Sequence, residues 1–188
     1  MKKRSKYKPK GVRIDAINWV LAGLKPFNDV AVSKDLRIRN HDAMNTLRKG
    51  EATRHEIDVL IGAFNMTEAH AKLRPELGSD WAEEIKAGQD ALHAVGKRGL
   101  ASGRFILTAK ELVAMNLVME IHDAQLDQTN VRDMELAMEI IDKAISAGKK
   151  LAAQGVKATV INNPFVNHVD IETIGAAVKA AGGTLVGH

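Results

Sequence analysis

The chain contains no cysteine. That excludes a disulfide framework, thiolate metal sites and cysteine nucleophiles, and it fits a reducing compartment. No apolar run approaches the roughly 20 residues that span a bilayer. The basic N-terminus is followed by VRIDAINWVLAGLKP, in which Arg13, Asp15 and Asn18 leave only the stretch 19–24 uninterrupted. An export segment needs about 7–15 apolar residues before a small-residue cleavage site, so a cytoplasmic location is expected, with no membrane contact. No Walker loop, GxGxxG or G-x-S-x-G occurs, and the Ser, His and acidic residues stand in no recognisable nucleophile context. A protein without catalytic residues, cofactor or metal is expected.

What is present is enough for one ordinary domain with a small appendage: 188 residues, 45% of them hydrophobic. The formal net charge of +4 hides an asymmetry. Lys2, Lys3, Arg4, Lys6, Lys8, Lys10 and Arg13 precede the first acid, Asp15; without these seven, 20 cations face 23 anions, about −3. On this reading the high pI belongs to a tail and not to a basic face of the folded body. Residues 1–11 lack hydrophobic periodicity, and Pro9 and Gly11 oppose a helix, so they read as a basic arm.

From position 12 the periodicity turns helical, and a mainly α-helical body of five or six helices is expected over residues 12–146. Ile14, Ile17, Leu21 and Leu24 recur at spacings of 3, 4 and 3, ending at Pro26. Asp29–Asn40 fits either a short edge strand, with Leu36 and Ile38 alternating with Arg37 and Arg39, or a helical turn. A short helix is expected over His41–Lys49, stopped by Gly50. Thr53-Arg-His-Glu56 is a capping box ahead of Ile57, Leu60, Ile61 and Phe64. Pro75 and Gly78 mark a break, after which Ser79 or Asp80 caps a helix with Trp81, Ile85, Gly88, Leu92 and Val95 inward. Gly88 there reads equally as a close helix approach or as tolerated at a cost of about 1 kcal/mol. Gly99 and Gly103 bracket a loop. Thr108-Ala-Lys-Glu111 is a second capping box, with Leu112, Met115, Met119 and Leu126 inward.

The last long helix starts near Val131, with Met134, Met138, Ile141, Ile145, Gly148 and Ala152 on one stripe, and is roughly 36 Å long. After Gly155 the character changes. Ala158–Ile161 reads as a strand, Asn163-Pro164 as a turn, Asp170 as the cap of a helix to Ala181, and Leu185-Val186 as a second strand. Residues 147–188 are thus expected to form a short β-α-β appendage, joined to the body within a continuous helix.

The run GKKLAAQGVKATVINNPFVNHVDIETIGAAVKAAGGTLV, residues 148–186, resembles part of the C-terminal domain of transketolases. The resemblance covers about a fifth of the chain and implies a local αβ fold. The family's thiamine diphosphate and catalytic parts lie in other domains, so no functional residue carries over. The preceding part, with MKKRSKYKPKG, LIGAFNMTEA, AGQDALHAVGKRGLASGRFILT and MEIHDAQLD, is similar to small helical proteins of phages and prophages. The chain as a whole reads as chimeric.

The arm carries the strongest local signal. Lys2, Lys3, Arg4, Lys6, Lys8, Lys10 and Arg13 can neutralise phosphates, and Tyr7 can stack on a base. The leading expectation is therefore a non-enzymatic phage-type accessory protein that contacts nucleic acid through the arm, its helical body supplying dimerisation or partner docking. The alternative is a protein-binding inhibitor of antitoxin or anti-defence type, whose acidic-leaning body masks a basic surface on a host or phage protein. A remote alternative is an HD-type metal phosphohydrolase built on His93, His122-Asp123 and Asp142; His41-Asp42 is a second such dipeptide. Met66, Met115, Met119, Met134 and Met138 read as core filling more readily than as an adaptable groove.

Overall fold

The computed structural model describes residues 16–153, with side-chain environments for 20–146. Six helices account for most of them: α1 (Ala16–Leu24), α2 (Ala31–Arg48), α3 (Arg54–Leu73), α4 (Ala82–Ser102), α5 (Ala109–Gln128) and α6 (Val131–Ala153). Among the described residues, β structure amounts to one antiparallel bridge, Pro26 to Asn130. None of these helices is long and apolar enough to cross a membrane. The arm and the strand–helix–strand reading of the C-terminal segment lie outside the described residues. α6 runs unbroken past position 147 to Ala153.

The capping boxes form as the sequence implies. Thr53 N–H and hydroxyl both donate to Glu56 Oε2, at 2.7 and 2.6 Å. Thr108 N–H donates to Glu111 Oε2 at 2.8 Å, while Glu111 N–H returns to Thr108 Oγ1 at 3.3 Å. α2 and α4 close on Gly50 and Gly103, whose φ angles of 72° and 76° are left-handed, where a Cβ is disfavoured.

Four expectations need correction. Asp29–Asn40 is neither an edge strand nor separate from the following helix: α2 is a single helix whose inner face runs Ser33, Leu36, Asn40, Ala43, Met44 and Leu47. Its polar members disguise the periodicity. Neither Ser79 nor Asp80 caps α4. Ser79–Trp81 is a 3-10 turn, and Trp81 at the cap position is 47% exposed, so it does not belong to the inner face. Gly99 lies within α4 and does not open a loop; the Phe105 ring occupies the place of its missing Cβ. On α1, Leu21 and Leu24 are 55% and 74% exposed and Ala22 makes the buried contact, while Ile14 and Ile17 lie outside the residues whose side chains are described. A small residue lets α1 lie close to α6, and the bulky neighbours then point outward.

Short turns join α2 to α3 and α4 to α5, so successive helices run antiparallel. Two apolar clusters stack along the bundle. One gathers Met44 and Leu47 of α2, Ile57, Leu60 and Phe64 of α3, Leu92 and Val95 of α4, Phe105, and Met115 and Val118 of α5. The other joins Ala22, Phe27 and Leu36 to Met66 and Ala69 of α3, Leu126 of α5, and Met134, Met138, Ile141 and Ile145 of α6. The first cluster uses the C-terminal halves of α2 and α4 and the N-terminal halves of α3 and α5. The α2–α3 and α4–α5 turns therefore share one end of the bundle. Gly88 marks a close approach: a Cβ there would collide with Val118 Cγ2 and lie 3.3 Å from Ala114 O.

Candidate functional site

Lys2, Lys3, Arg4, Lys6, Tyr7, Lys8, Lys10 and Arg13, the expected nucleic-acid contacts, lie outside the described residues. Within them, the densest concentration of polar chemistry is where α2, α3 and α5 meet between the two apolar clusters. α2 and α5 cross so that Asn40-His41 faces His122-Asp123. His41 Nε2 lies 2.7 Å from Asp123 Oδ2 at the surface. One residue back, and inside, Asn40 Nδ2 lies 3.2 Å from His122 Nε2. The other ring nitrogen, Nδ1, is 3.1 Å from Thr67 Oγ1.

These contacts determine the tautomer. The Thr67 hydroxyl donates to Ala63 O at 3.0 Å, so its oxygen is left to accept a proton from Nδ1. Nε2 must then accept from the Asn40 amide, and the ring is neutral with its proton on Nδ1. Electrostatics agree: complete burial, then the positive fields of His70, Arg37 and His41, push the His122 pKa down to about 3. His70, on the same side of α3, is 1% exposed, and its ring nitrogens have no hydrogen-bond partner. Burial, then Arg74, pushes it down to about 4. Gln125 closes the group by donating through Nε2 to Thr67 O at 3.1 Å and Leu77 O at 3.0 Å, tying α5 to α3 and to the turn beyond it.

This arrangement orders a core and leaves little for chemistry. Both His122 nitrogens are committed, and the ring is sealed from solvent, so it offers no lone pair to a metal or a substrate. His93 is on the outer surface of α4, and Asp142 is exposed on α6. Among the described residues no three His, Asp or Glu side chains are grouped to hold a metal ion. The His93, His122-Asp123 and Asp142 constellation of the phosphohydrolase reading is thus not assembled, because the fold spends His122 on internal hydrogen bonds.

The methionines behave as core. Met66, Met115, Met119, Met134 and Met138 are all buried in the two apolar clusters. An open groove of about 390 Å³ runs between α2 and α3, lined by Asp35, Ile38, Arg39, Asp42, Thr46 and His55 among others. Its mixed charges favour no ligand class. The buried quartet Asn40, Thr67, His70 and Gln125 escapes a reading of sequence, because its partners lie on other helices and no local spacing announces them.

No protein-family model matches this sequence, and no curated protein or solved structure matches it significantly.

Proposed function

We propose that this protein acts by binding, as a cytoplasmic phage- or prophage-type accessory protein that contacts nucleic acid through its basic N-terminal arm. The observation that carries the reading is the run of seven Lys and Arg before Asp15. A cluster of that density has a long-range attraction for phosphate and little use inside a fold.

The test is fluorescence anisotropy with duplex and single-stranded oligonucleotides. The native chain is compared with a variant in which Lys2, Lys3, Arg4, Lys6, Lys8, Lys10 and Arg13 are all Gln. Binding that weakens steeply with salt, and a shallower slope in the variant, is the expected result. Each lost phosphate contact should reduce the log–log slope by about 0.9 on duplex DNA. Equal affinity and slope in the two proteins would remove the arm from the interface.

One observation favours the second reading, a protein-binding inhibitor of antitoxin or anti-defence type. α1 turns Val20, Leu21 and Leu24 outward, at 56%, 55% and 74% exposure. Three aliphatic side chains on one short helix offer the kind of apolar contact that protein partners bury. Leu21→Ser and Leu24→Ser should then abolish capture of the partner and leave nucleic-acid binding unaltered.

A further inference from the structure

Charge in the helical body is segregated by end, which the sequence total conceals. The two turns that share one end, residues 48–56 and 97–111, carry Arg48, Lys49, Arg54, Lys97, Arg98, Arg104 and Lys110 against Glu51, Glu56 and Glu111. At the other end, residues 74–84 and 123–133 carry Arg74 and Arg132 against Glu76, Asp80, Glu83, Glu84, Asp123, Asp127 and Asp133. One end is thus about +4 and the other about −5. This corrects the expectation that the positive charge belongs to the tail alone.

The basic end is also where cations are left over. Arg98 is held by a bidentate pair with Glu111, at 2.7 and 2.6 Å, and Arg54 lies 3.9 Å from Asp58. Arg48, Lys49, Lys97, Arg104 and Lys110 are exposed, and their side chains make no hydrogen bond or ion pair with another described residue. Lys25 and Lys34 are the only other described cations in that condition, so five of seven gather at one end. Helix dipoles account for Arg48 and Lys49 at the close of α2; Lys97 lies before the last turn of α4, beyond the reach of its dipole. They do not account for Arg104, in a loop, or for Lys110, in the first turn of α5, where the dipole disfavours a cation.

We infer that this end of the bundle is a second phosphate-contacting surface, which docks on the backbone of duplex nucleic acid. The inference rests on the nucleic-acid reading above and assigns the body a part in it. Four helices packed at about 8–10 Å make a face roughly 20 Å across. Duplex DNA presents a charge about every 1.7 Å of axis, so dispersed cations on such a face meet phosphates without a matched pattern. An acidic protein would need its carboxylates placed to suit. The end offers only the small His55 imidazole for stacking on single-stranded bases, since Phe64 and Phe105 are buried there and the exposed Trp81 belongs to the opposite end. Leu100 and Ile106, 58% and 52% exposed among the cations, are the anchors an acidic protein would use, and the experiment separates that partner.

The experiment uses full-length chain in four forms: native, arm-neutral as above, end-neutral (Arg48→Gln, Lys49→Gln, Lys97→Gln, Arg104→Gln and Lys110→Gln), and both together. Association with a duplex oligonucleotide is measured between about 50 and 200 mM salt, a range over which several phosphate contacts change affinity by orders of magnitude. The end-neutral protein should lose about 2 to 4.5 from the magnitude of the log–log slope, for two to five contacts at about 0.9 each. Its melting temperature should fall by no more than a few degrees, because the five side chains make no internal hydrogen bond or ion pair and only the α2 dipole loses its cations, Arg48 and Lys49. R48Q/K49Q and K97Q/R104Q/K110Q, made separately, should each remove part of the slope, which keeps the test decisive if the fivefold variant fails to fold. An unchanged slope in the end-neutral protein, with loss confined to the arm-neutral one, overturns this inference and leaves the arm reading standing. No duplex binding by the native chain overturns both. Binding of poly-glutamate, but not duplex, that the end substitutions abolish overturns it in favour of an acidic protein partner.

Discussion

Acidification from about pH 7.5 to about pH 5 should destabilise the helical body by about 2 kcal/mol, and Glu135→Gln should raise that loss to about 4 kcal/mol. Three buried groups set the magnitude. His70 and His122 have folded pKa values of about 4 and about 3, below the ordinary 6.5. The unfolded chain therefore protonates first, and the stability these rings carry is full above 6.5 and lost as pH falls. Each ring costs about 1.4 kcal/mol per pH unit below that point, or about 2 kcal/mol by pH 5. Glu135 has the opposite sign. It is 4% exposed, neither carboxylate oxygen has a hydrogen-bond partner, and burial pushes its pKa up to about 7 from 4.5. Here the folded state protonates first, so its contribution grows as pH falls through 7 and offsets about 2 kcal/mol of the histidine loss over the same window. Glu111 lies clear of the window, because Arg98 and the Thr108 cap hold it down to about 2.

Urea unfolding followed by far-ultraviolet circular dichroism gives the comparison, provided the m-value is constant between proteins and pH values. Glu135→Gln should be the more stable protein at pH 7.5, where the native side chain is charged in a dry site, and the two stabilities should converge on acidification. Parallel profiles for the two proteins would show that Glu135 reaches water. A flat profile for Glu135→Gln would show that the histidine rings do, and the account of a sealed polar core would fail.

Three further outcomes follow from contacts already described. Gly88→Ala should cost about 1–3 kcal/mol through collision with Val118, and Val118→Ala in the same chain should recover part of it, a coupling that a thermodynamic cycle on melting curves measures. Thr108→Ala should cost about 1 kcal/mol as a lost cap, whereas Glu111→Ala should cost more, because it also removes the two hydrogen bonds that Arg98 donates to Glu111, leaving Arg98 only the Ile106 carbonyl; the two are ranked by urea midpoint. Thr67→Val removes the acceptor for His122 Nδ1–H while keeping shape, and should cost about 1–3 kcal/mol. In the native protein, nitrogen NMR of His122 should report a neutral ring protonated at Nδ1, and the Nε2 tautomer would contradict the assignment.

What the sequence discloses is local, and what it withholds depends on partners far along the chain. Both capping boxes are legible because Thr53 and Glu56, or Thr108 and Glu111, meet within one turn. The α6 stripe is legible from Val131 to Ile145 because apolar residues mark it without a gap. α2 is misread because Ser33 and Asn40 occupy its buried face, and Asn40 earns that place from His122, 82 residues away. α1 is misread for a different reason. Periodicity finds a stripe of large residues, but Ala22 chooses the side that packs, since close approach to α6 requires a small one. The choice between close approach and tolerance at Gly88 likewise rests on Val118, 30 positions along the chain and on another helix.

The polarisation of the bundle comes from the same source. A net charge near −3 outside the arm is an average over a chain, and antiparallel topology sorts that chain by turn. The α2–α3 and α4–α5 turns face one way, while the α3–α4 and α5–α6 turns face the other. Seven cations in the first pair and seven anions in the second are then separated by the length of a helix, roughly 30 Å for the 20 residues of α3. That exceeds the screening length of about 8 Å at physiological salt, so neither end neutralises the other, and each presents its own field to a partner. Lys49 and Arg104, on different hairpins, share an end only because two intervening helices reverse the chain. An approaching polyanion meets that end as a basic surface, with the acidic end directed away.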